Sequence, residues 1–325
     1  MNESALSAAP IELEPQVGKK FPKIQVFILT YERPELFSAA LSSVLNQDYP
    51  DFEVVVSDNS KTDRTQAVVS SFNDNRIIYR RRIPSLPPME HFNRVLDEVS
   101  ADYFMLFHDD DIMKPDCLAS LMRGFAAYIG LVAVGGNATM IFNRFVSSRK
   151  FICASENILI KRPSDLVRRY FTSEEYAPFP SYLYYRPSLN MLRMKTDCGK
   201  HADVIFLAQA CGFGPILMLN KVVMQYRLHQ AQDTAVCRLA DRRALVEWAC
   251  NNAGIDRKSP EVRFYRLNGL IEKVRQLKRP SARLRNRLLF AMAVLHLKYF
   301  RLQFFFLFIR LVQRILQRWC LQKNV

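Results

Sequence analysis

Three successive carboxylates, Asp109, Asp110 and Asp111, are the densest piece of chemistry in the chain. They follow an apolar run that begins at Tyr103 and they precede Pro115, which places them at the end of a buried strand just before a helix. Adjacent negative charges repel one another unless a cation, a hydrogen-bond network or solvent answers them. Hard divalent ions such as Mg²⁺ or Mn²⁺ take oxygen ligands of this kind. A solvated acidic loop is the plain alternative; the strand end favours the ion, because open α/β sheets bind ligands at the carboxyl ends of their strands.

The elements that must position this cluster follow from the hydropathy pattern. Lys23 to Thr30 is β-branched and apolar and runs into Tyr31-Glu32-Arg33-Pro34, a turn that opens a helix. Apolar residues from Glu35 to Gln47 recur at helical spacing. Phe52 to Ser57 predicts a second buried strand, followed at once by Asp58 and Asn59; a short helix (65–72) and a third strand (76–80) come next. A proline-rich loop and a helix over 89–99 lead to the strand that carries the triplet. Strand-helix alternation with short connections predicts a mostly parallel, doubly wound α/β sheet with helices on both faces. If the two strand ends are neighbours, Asp58 and Asp109 to Asp111 line one crevice. Further on, a helix to about Tyr128, a strand at 131–136, a helix over 197–210 with Asp203 near its start, and a strand ending in Tyr226-Arg227-Leu228-His229 are expected.

Composition narrows the classes. The chain has 325 residues, 49% apolar and 24% charged, which is a globular balance with length for a sizeable core. It has only 10 glycines and neither a Gly-x-Gly-x-x-Gly nor a P-loop pattern, which argues against a dinucleotide or P-loop site. Seven scattered cysteines without a Cys-x-x-Cys suggest reduced thiols rather than disulfides or zinc. Met1 to Lys20 lacks the basic start and apolar block of a signal peptide.

The net charge of +15 is unevenly placed: residues 256–325 hold 17 basic and 3 acidic residues, +14, and the rest of the chain is nearly neutral at +1. A basic appendage on a neutral body points to an anionic partner, membrane or nucleic acid. From Leu288 to Gln322, Arg310, Arg314 and Arg318 recur every four residues among Phe304, Phe305, Phe308, Leu311, Ile315 and Trp319. No stretch reaches about 18 uncharged apolar residues, so the segment is expected to lie in the membrane interface rather than to span it. Packing on the protein's own core is the alternative.

Four stretches in this order, Phe27-Ile-Leu-Thr-Tyr-Glu-Arg-Pro, Glu53-Val-Val-Val-Ser-Asp-Asn-Ser-Lys-Thr-Asp, Phe107-His-Asp-Asp-Asp-Ile-Met-Lys-Pro-Asp, and Ala202-Asp203 with Tyr226-Arg-Leu-His downstream, resemble the inverting glycosyltransferases of family 2. The likeness is to the bacterial surface-polysaccharide type and spans roughly residues 23–235. It implies a GT-A fold over 21–237, with a flexible N-terminus (1–20) and a helical, basic C-terminal region (238–325).

The resemblance also implies roles. Thr30, Tyr31 and Arg33 would cradle the donor nucleotide, Tyr stacking on the base and Arg meeting phosphate. Asp58, with Asn59 beside it, would accept a hydrogen bond from the base, although a strand-end Asp-Asn is also ordinary turn chemistry. Aligning the triplet on Pro115 makes Asp109 the ribose contact and Asp110 a metal ligand, whereas a literal Asp-x-Asp pairs Asp109 with Asp111. Asp110, Asp111 and His229 are the expected metal set and Arg227 a diphosphate contact. His108 stands where many relatives carry Asp and is expected to be structural. Asp203 matches the general base, with a helix-start charge as the alternative; most relatives show Glu-Asp, and here Ala202 removes the helper carboxylate. The processive enzymes' Gln-x-x-Arg-Trp is absent, which implies one sugar added per encounter.

The expected function is therefore a metal-dependent transferase, using Mg²⁺ or Mn²⁺, that moves a sugar from a nucleoside diphosphate to a lipid-linked saccharide. Its expected place is the cytoplasmic face of a membrane, held there peripherally, with no nucleic acid as partner. Two other readings remain. A nucleic-acid-binding protein would use only the basic tail and leave the strand-end carboxylates unexplained. A nucleotidyltransferase or sugar-nucleotide hydrolase would share the metal site but need no acceptor base.

Overall fold

The computed structural model describes residues 21–142, 145–172, 176–189, 191–195, 199–229 and 238–275. The expected N-terminal segment (1–20) and amphipathic segment (288–322) lie outside the described residues. Four apolar runs become the parallel half of a sheet: β1 (Ile24–Thr30), β2 (Phe52–Asp58), β3 (Ile77–Arg81) and β4 (Tyr103–His108). They are joined by α1 (Pro34–Leu45), α2 (Arg64–Phe72) and α3 (Pro88–Asp97). All seven residues of β1 are buried, because helices cover both faces of this part of the sheet. β1 lies between β2 and β4, with Thr30 opposite Asp58 and Leu29 opposite His108, so the three strands end along one edge.

One face of this half is closed by α1 and by α4 (Cys117–Ala127), which set Phe37, Leu41, Val44, Leu118 and Leu121 against Val26, Ile28, Val54, Val56, Met105 and Phe107. Alternate residues point to the other face. There Phe104 stacks on Tyr184 with ring centroids 5.2 Å apart, and Phe206 meets Tyr184 edge-on at 5.6 Å.

Past β4 the sheet is less parallel than the alternation predicts. β5 (Ile112–Met113), β6 (Ala133–Phe142), β7 (Phe145–Lys150), β8 (Ile158–Ile160), β9 (Tyr182–Tyr185) and β10 (Ile216–Leu228) join the order β3-β2-β1-β4-β9-β6-β10-β5, with β7 beside β6 and β8 beside β10. β9 is antiparallel to both β4 and β6, while β6 and β10 are parallel. A long stretch that contains α5 (Pro163–Phe171) and α6 (Ala202–Cys211) joins β6 to β10 and allows their parallel pairing, whereas β7 returns directly from β6 and pairs with it antiparallel.

The chain divides into two compact units, 1–166, 175–197 and 202–235 forming the first and 167–174, 198–201 and 236–325 the second. All the carboxylates singled out above are in the first. The second contains α7 (Leu239–Asn252) and α8 (Pro260–Arg275). Within it His201 lies 3.0 Å from the hydroxyls of both Tyr170 and Tyr265, and burial lowers its pKa to about 4. Among the described residues Cys117, Cys211 and Cys250 are free thiols, and no helix is long and apolar enough to cross a membrane.

The crowded middle of the sheet depends on two glycines. A Cβ on Gly135 would stand 2.4 Å from the Tyr182 ring, and one on Gly136 2.1 Å from Val223 Cγ2. Both obstacles are core side chains that cannot swing into solvent. Gly136→Ala is therefore expected to lower stability by about 1–3 kcal/mol in urea titration, the usual cost of overpacking; an unchanged midpoint would show that Val223 yields freely.

Candidate functional site

The first wall of the site is the exit from β1. Thr30 is buried, and the next three residues turn so tightly that Glu32 adopts a left-handed conformation with φ 53°. That conformation is uncommon for a residue with a side chain and needs outside support. The Glu32 amide donates to Ser60 Oγ (2.9 Å), and its carboxylate accepts from the amides of Lys61 (2.7 Å) and Thr62 (3.2 Å). Glu32 thus ties the β1 exit loop to the β2 exit loop, a role the sequence did not reveal. Tyr31 is left 45% exposed, with its ring available and its amide 3.3 Å from Asp109 Oδ2.

The second wall is the end of β2. Asp58 is fully buried; one carboxylate oxygen accepts from the Ser60 amide (2.9 Å) and the other from the Tyr79 hydroxyl (2.7 Å). Asn59 makes a pair of bonds to the backbone of Leu86, both 2.8 Å, so its amide staples the proline-rich loop to the strand end. Behind them Ser57 Oγ lies 2.7 Å from His91 Nε2 and accepts from Arg82 Nε at 2.9 Å. Burial keeps His91 neutral, its pKa lowered to about 4.

The triplet closes the site between β1 and β10. Asp109, Asp110 and Asp111 are all buried. Arg33 reaches across from the β1 exit and places one guanidinium nitrogen 2.9 Å from Asp109 and another 2.9 Å from Asp110. His229 Nε2 stands 2.9 Å from the same Asp110 oxygen. Arg227 donates its backbone amide to Asp111 (2.9 Å) and its Nε to the Asp110 carbonyl (2.7 Å). Burial raises the Asp109 pKa to about 6 against the pull of Arg33, and burial with Asp110 beside it drives Asp111 well above the usual carboxylate range. Asp110 is held below that range: burial opposes its charge, but His108, His229 and Arg33 outweigh it.

These atoms fit a divalent cation. Asp111 Oδ2 is buried without a hydrogen-bond partner, and ligand atoms of His108, Asp110 and Asp111 all lie within 4.8 Å of one another. Two carboxylates and an imidazole are a donor set that suits Mn²⁺ or Mg²⁺. His108, expected to be structural, therefore stands with the possible ligands, while expected ligand His229 faces Asp110 from the other strand.

Asp203 occupies the start of α6, where its Oδ1 accepts from the Val204 amide at 2.8 Å. It is surrounded by tyrosines rather than cations. Burial raises its pKa to about 6, and its charge in turn raises the phenols of Tyr176, Tyr184 and Tyr226 beyond what burial does. Tyr226 also feels Asp111 and Asp110.

Residues 25–184 match the description of glycosyl transferase family 2. This stretch of the chain belongs to that family. Over 131 residues the chain is 32% identical to the GalNAc(5)-diNAcBac-PP-undecaprenol β-1,3-glucosyltransferase of Campylobacter jejuni, a match that covers 38% of this chain and 42% of that protein. The chain thus spans less than half the length of this curated relative. Staphylococcus aureus TarS 1–349, solved in complex with UDP-GlcNAc, superposes with a TM-score of 0.58 at 15% identity, covering 84% of this chain and 80% of that one. The mannosyltransferase PcManGT of Pyrobaculum calidifontis, solved with GDP-Man and Mn²⁺, gives a TM-score of 0.53 at 19% identity, covering 85% and 81%. At that identity the likeness establishes the fold, which is GT-A.

Eight of the residues that the sequence singled out come together, while Asp58, Asn59 and Asp203 stand apart from them. Thr30, Tyr31, Arg33, Asp109, Asp110, Asp111, Arg227 and His229 converge where β1, β4 and β10 end. Asp58 and Asn59 lie one strand further on, separated from the triplet by β1 and committed to Tyr79, Ser60 and Leu86. Tyr226 stands in one of the quoted stretches without a role of its own there, and Tyr176 carried no motif signal.

The raised pKa of Asp203 has a testable sign. An acid whose pKa rises from 3.8 to about 6 on folding favours the folded state while protonated and loses that contribution as pH climbs through about 6. Asp203→Asn, which cannot ionise, is expected to melt at a higher temperature than the parent at pH 8 and at the same temperature near pH 4. A constant difference across that range would place Asp203 in solvent.

Proposed function

We propose that this chain is an inverting glycosyltransferase that moves one sugar from a nucleoside diphosphate to a hydroxyl of a lipid-linked saccharide during assembly of a cell-surface polysaccharide. The observation that carries the reading is a cation-ready carboxylate cluster inside the family 2 stretch, together with Asp203 further along the chain, whose charge and that of the cluster both act on Tyr226. Tyr31 offers an exposed ring to the base, and Asp109 is the ribose contact. Arg33 and Arg227 supply positive charge where the diphosphate sits.

In the displacement the acceptor oxygen attacks the anomeric carbon as the bond to the diphosphate breaks on the opposite side. Asp203 takes the hydroxyl proton, and the nucleoside diphosphate departs with the bonding pair. Asp110 and Asp111, with His108 or His229 completing the set, would hold a divalent ion, Mg²⁺ or Mn²⁺, that offsets charge on the leaving group. No covalent enzyme intermediate is needed. Support for the lipid-linked acceptor comes from the Campylobacter relative, named for a PP-undecaprenol-linked saccharide, and from the basic, Phe-rich segment 288–322. That segment would keep the protein peripheral on the cytoplasmic face of the membrane, with nucleic acid not a partner.

The first test is calorimetric titration of UDP, GDP and dTDP into the protein with and without Mn²⁺. One nucleotide is expected to bind, at least about tenfold more weakly without the ion or in Asp110→Asn. Failure of all three to bind would sink the donor-site assignment. With the donor in hand, Asp203→Asn should lower transfer to lipid-linked saccharide by about 10²–10⁴-fold while leaving nucleotide affinity intact. Retained turnover would favour a hydrolase or nucleotidyltransferase instead.

A further inference from the structure

The exposed apolar side chains of the first unit are not scattered evenly. Three belong to one hairpin: Phe142 is 57% exposed at the end of β6, and Phe145 and Val146 are 81% and 54% exposed at the start of β7. Phe142 is directly opposite Phe145 and Ile141 opposite Val146, so the end of the hairpin shows apolar side chains on both faces. Every residue of β7 is exposed. Ile141 is buried, but Phe142, Phe145 and Val146 are left to solvent, an apolar cluster that is not a solvent-facing design.

The hairpin is nevertheless firmly held at its base. Asn137 is fully buried; its Nδ2 donates to the carbonyls of Ile152 (2.6 Å) and Asn220 (3.0 Å), and its Oδ1 accepts from the amides of Ile152 (2.9 Å) and Ala138 (2.8 Å). Just above, Phe151 packs edge-on against Tyr226 at 5.4 Å between centroids. The projecting end is therefore carried on a braced stem.

Charge identifies what the end meets. From Cys117 to Ser155 the sequence contains no Asp or Glu, although the chain as a whole has 31. Arg149 and Lys150 on β7 are exposed, with no carboxylate partner among the described residues. Aromatic residues at the end and unpaired cations just behind are the chemistry of an anionic lipid surface, rings at the acyl boundary and cations at the headgroups. Register supplies the orientation: β6 runs parallel to β10 with Phe142 opposite Leu228, one residue before His229, so the hairpin projects beside the cluster-bearing end of the sheet.

We propose that the β6–β7 hairpin is a membrane-insertion element, which seats Phe142, Phe145 and Val146 in an anionic phospholipid bilayer and thereby holds the carboxylate site next to the lipid surface. The contact is distinct from the basic C-terminal segment and does not depend on which acceptor is used.

The test uses the full chain and vesicles of phosphatidylcholine with or without about a third phosphatidylglycerol. In a Trp248→Phe/Trp319→Phe background, Phe145→Trp provides one indole on the hairpin. On anionic vesicles with brominated acyl chains its emission is expected to shift to the blue and be quenched. Phe142→Ser/Phe145→Ser should weaken vesicle partition at least about tenfold, and Arg149→Gln/Lys150→Gln should weaken it mainly at low salt. These side chains are outside the core, so melting temperature should stay put. Nucleotide titration on the serine pair should match the parent, which separates this inference from the donor-site reading. An indole left unquenched while the chain sediments with vesicles would overturn the proposal, as would no vesicle binding at all. So would a serine pair that turns a dimer into a monomer with partition unchanged, since the face would then join two copies of the chain.

Discussion

Like charge held out of water is the constraint around which the rest of this structure is arranged. Asp109, Asp110 and Asp111 are consecutive and almost completely buried, a combination that is unfavourable unless something answers each carboxylate separately. The answers come from two directions. Arg33 arrives from the exit of β1, His229 and the Arg227 amide from the end of β10, and the remaining Asp111 oxygen is left with no partner among the described residues. A strand end with fewer neighbours would have to expose the triplet or protonate it. The fold keeps it buried and leaves a gap shaped in charge for a cation.

Bringing those answers together explains the least regular part of the sheet. β10 is 13 residues long; its beginning pairs with β8 and its later part with β5, with irregular register between Met218 and Met224. The β10–β5 pairing, Gln225 with Ile112 and Met224 with Met113, is what sets Arg227 and His229 over the triplet immediately before β5. The antiparallel insertion of β9 between β4 and β6 likewise places Tyr184 against Phe104 and Phe206, and so builds the tyrosine-lined surroundings of Asp203 from the same strand that closes the sheet.

The legible and illegible parts of the chain divide along this line. β1, β2 and β4 are covered on both faces, so their local sequences are unbroken apolar runs ending in chemistry, and both strand-end acidic motifs could be placed before any coordinate was known. β5, β7 and β8 are short and owe their existence to partners far along the chain; a two-residue strand such as Ile112–Met113 has no periodicity to read. Tyr182 to Tyr185 has no polar-apolar alternation to read, and it sits in the middle of the sheet. His108 was assigned a structural part from resemblance alone, and only the fold of the turn after β4 brings its ring to Asp110 and Asp111. Glu32 was equally opaque, since its left-handed backbone is stabilised by amides some thirty residues downstream.

Asp110 and Asp203 have been given opposite environments, and that difference sorts their parts in the proposed reaction. Asp110 is surrounded by cationic and imidazole groups that outweigh its burial, so it is held ionised, as the proposed metal ligand must be. Asp203 is partly buried near phenols, with no cation among the described residues to offset the loss of water, and its pKa of about 6 suits the proton-accepting part proposed for it. Exchanging the environments would spoil both groups, because a cation beside Asp203 would weaken it as a base and the loss of cations around Asp110 would neutralise it. The helper carboxylate that relatives carry before the base would add negative charge on that side. Ala202, buried in its place, leaves the tuning of Asp203 to desolvation alone.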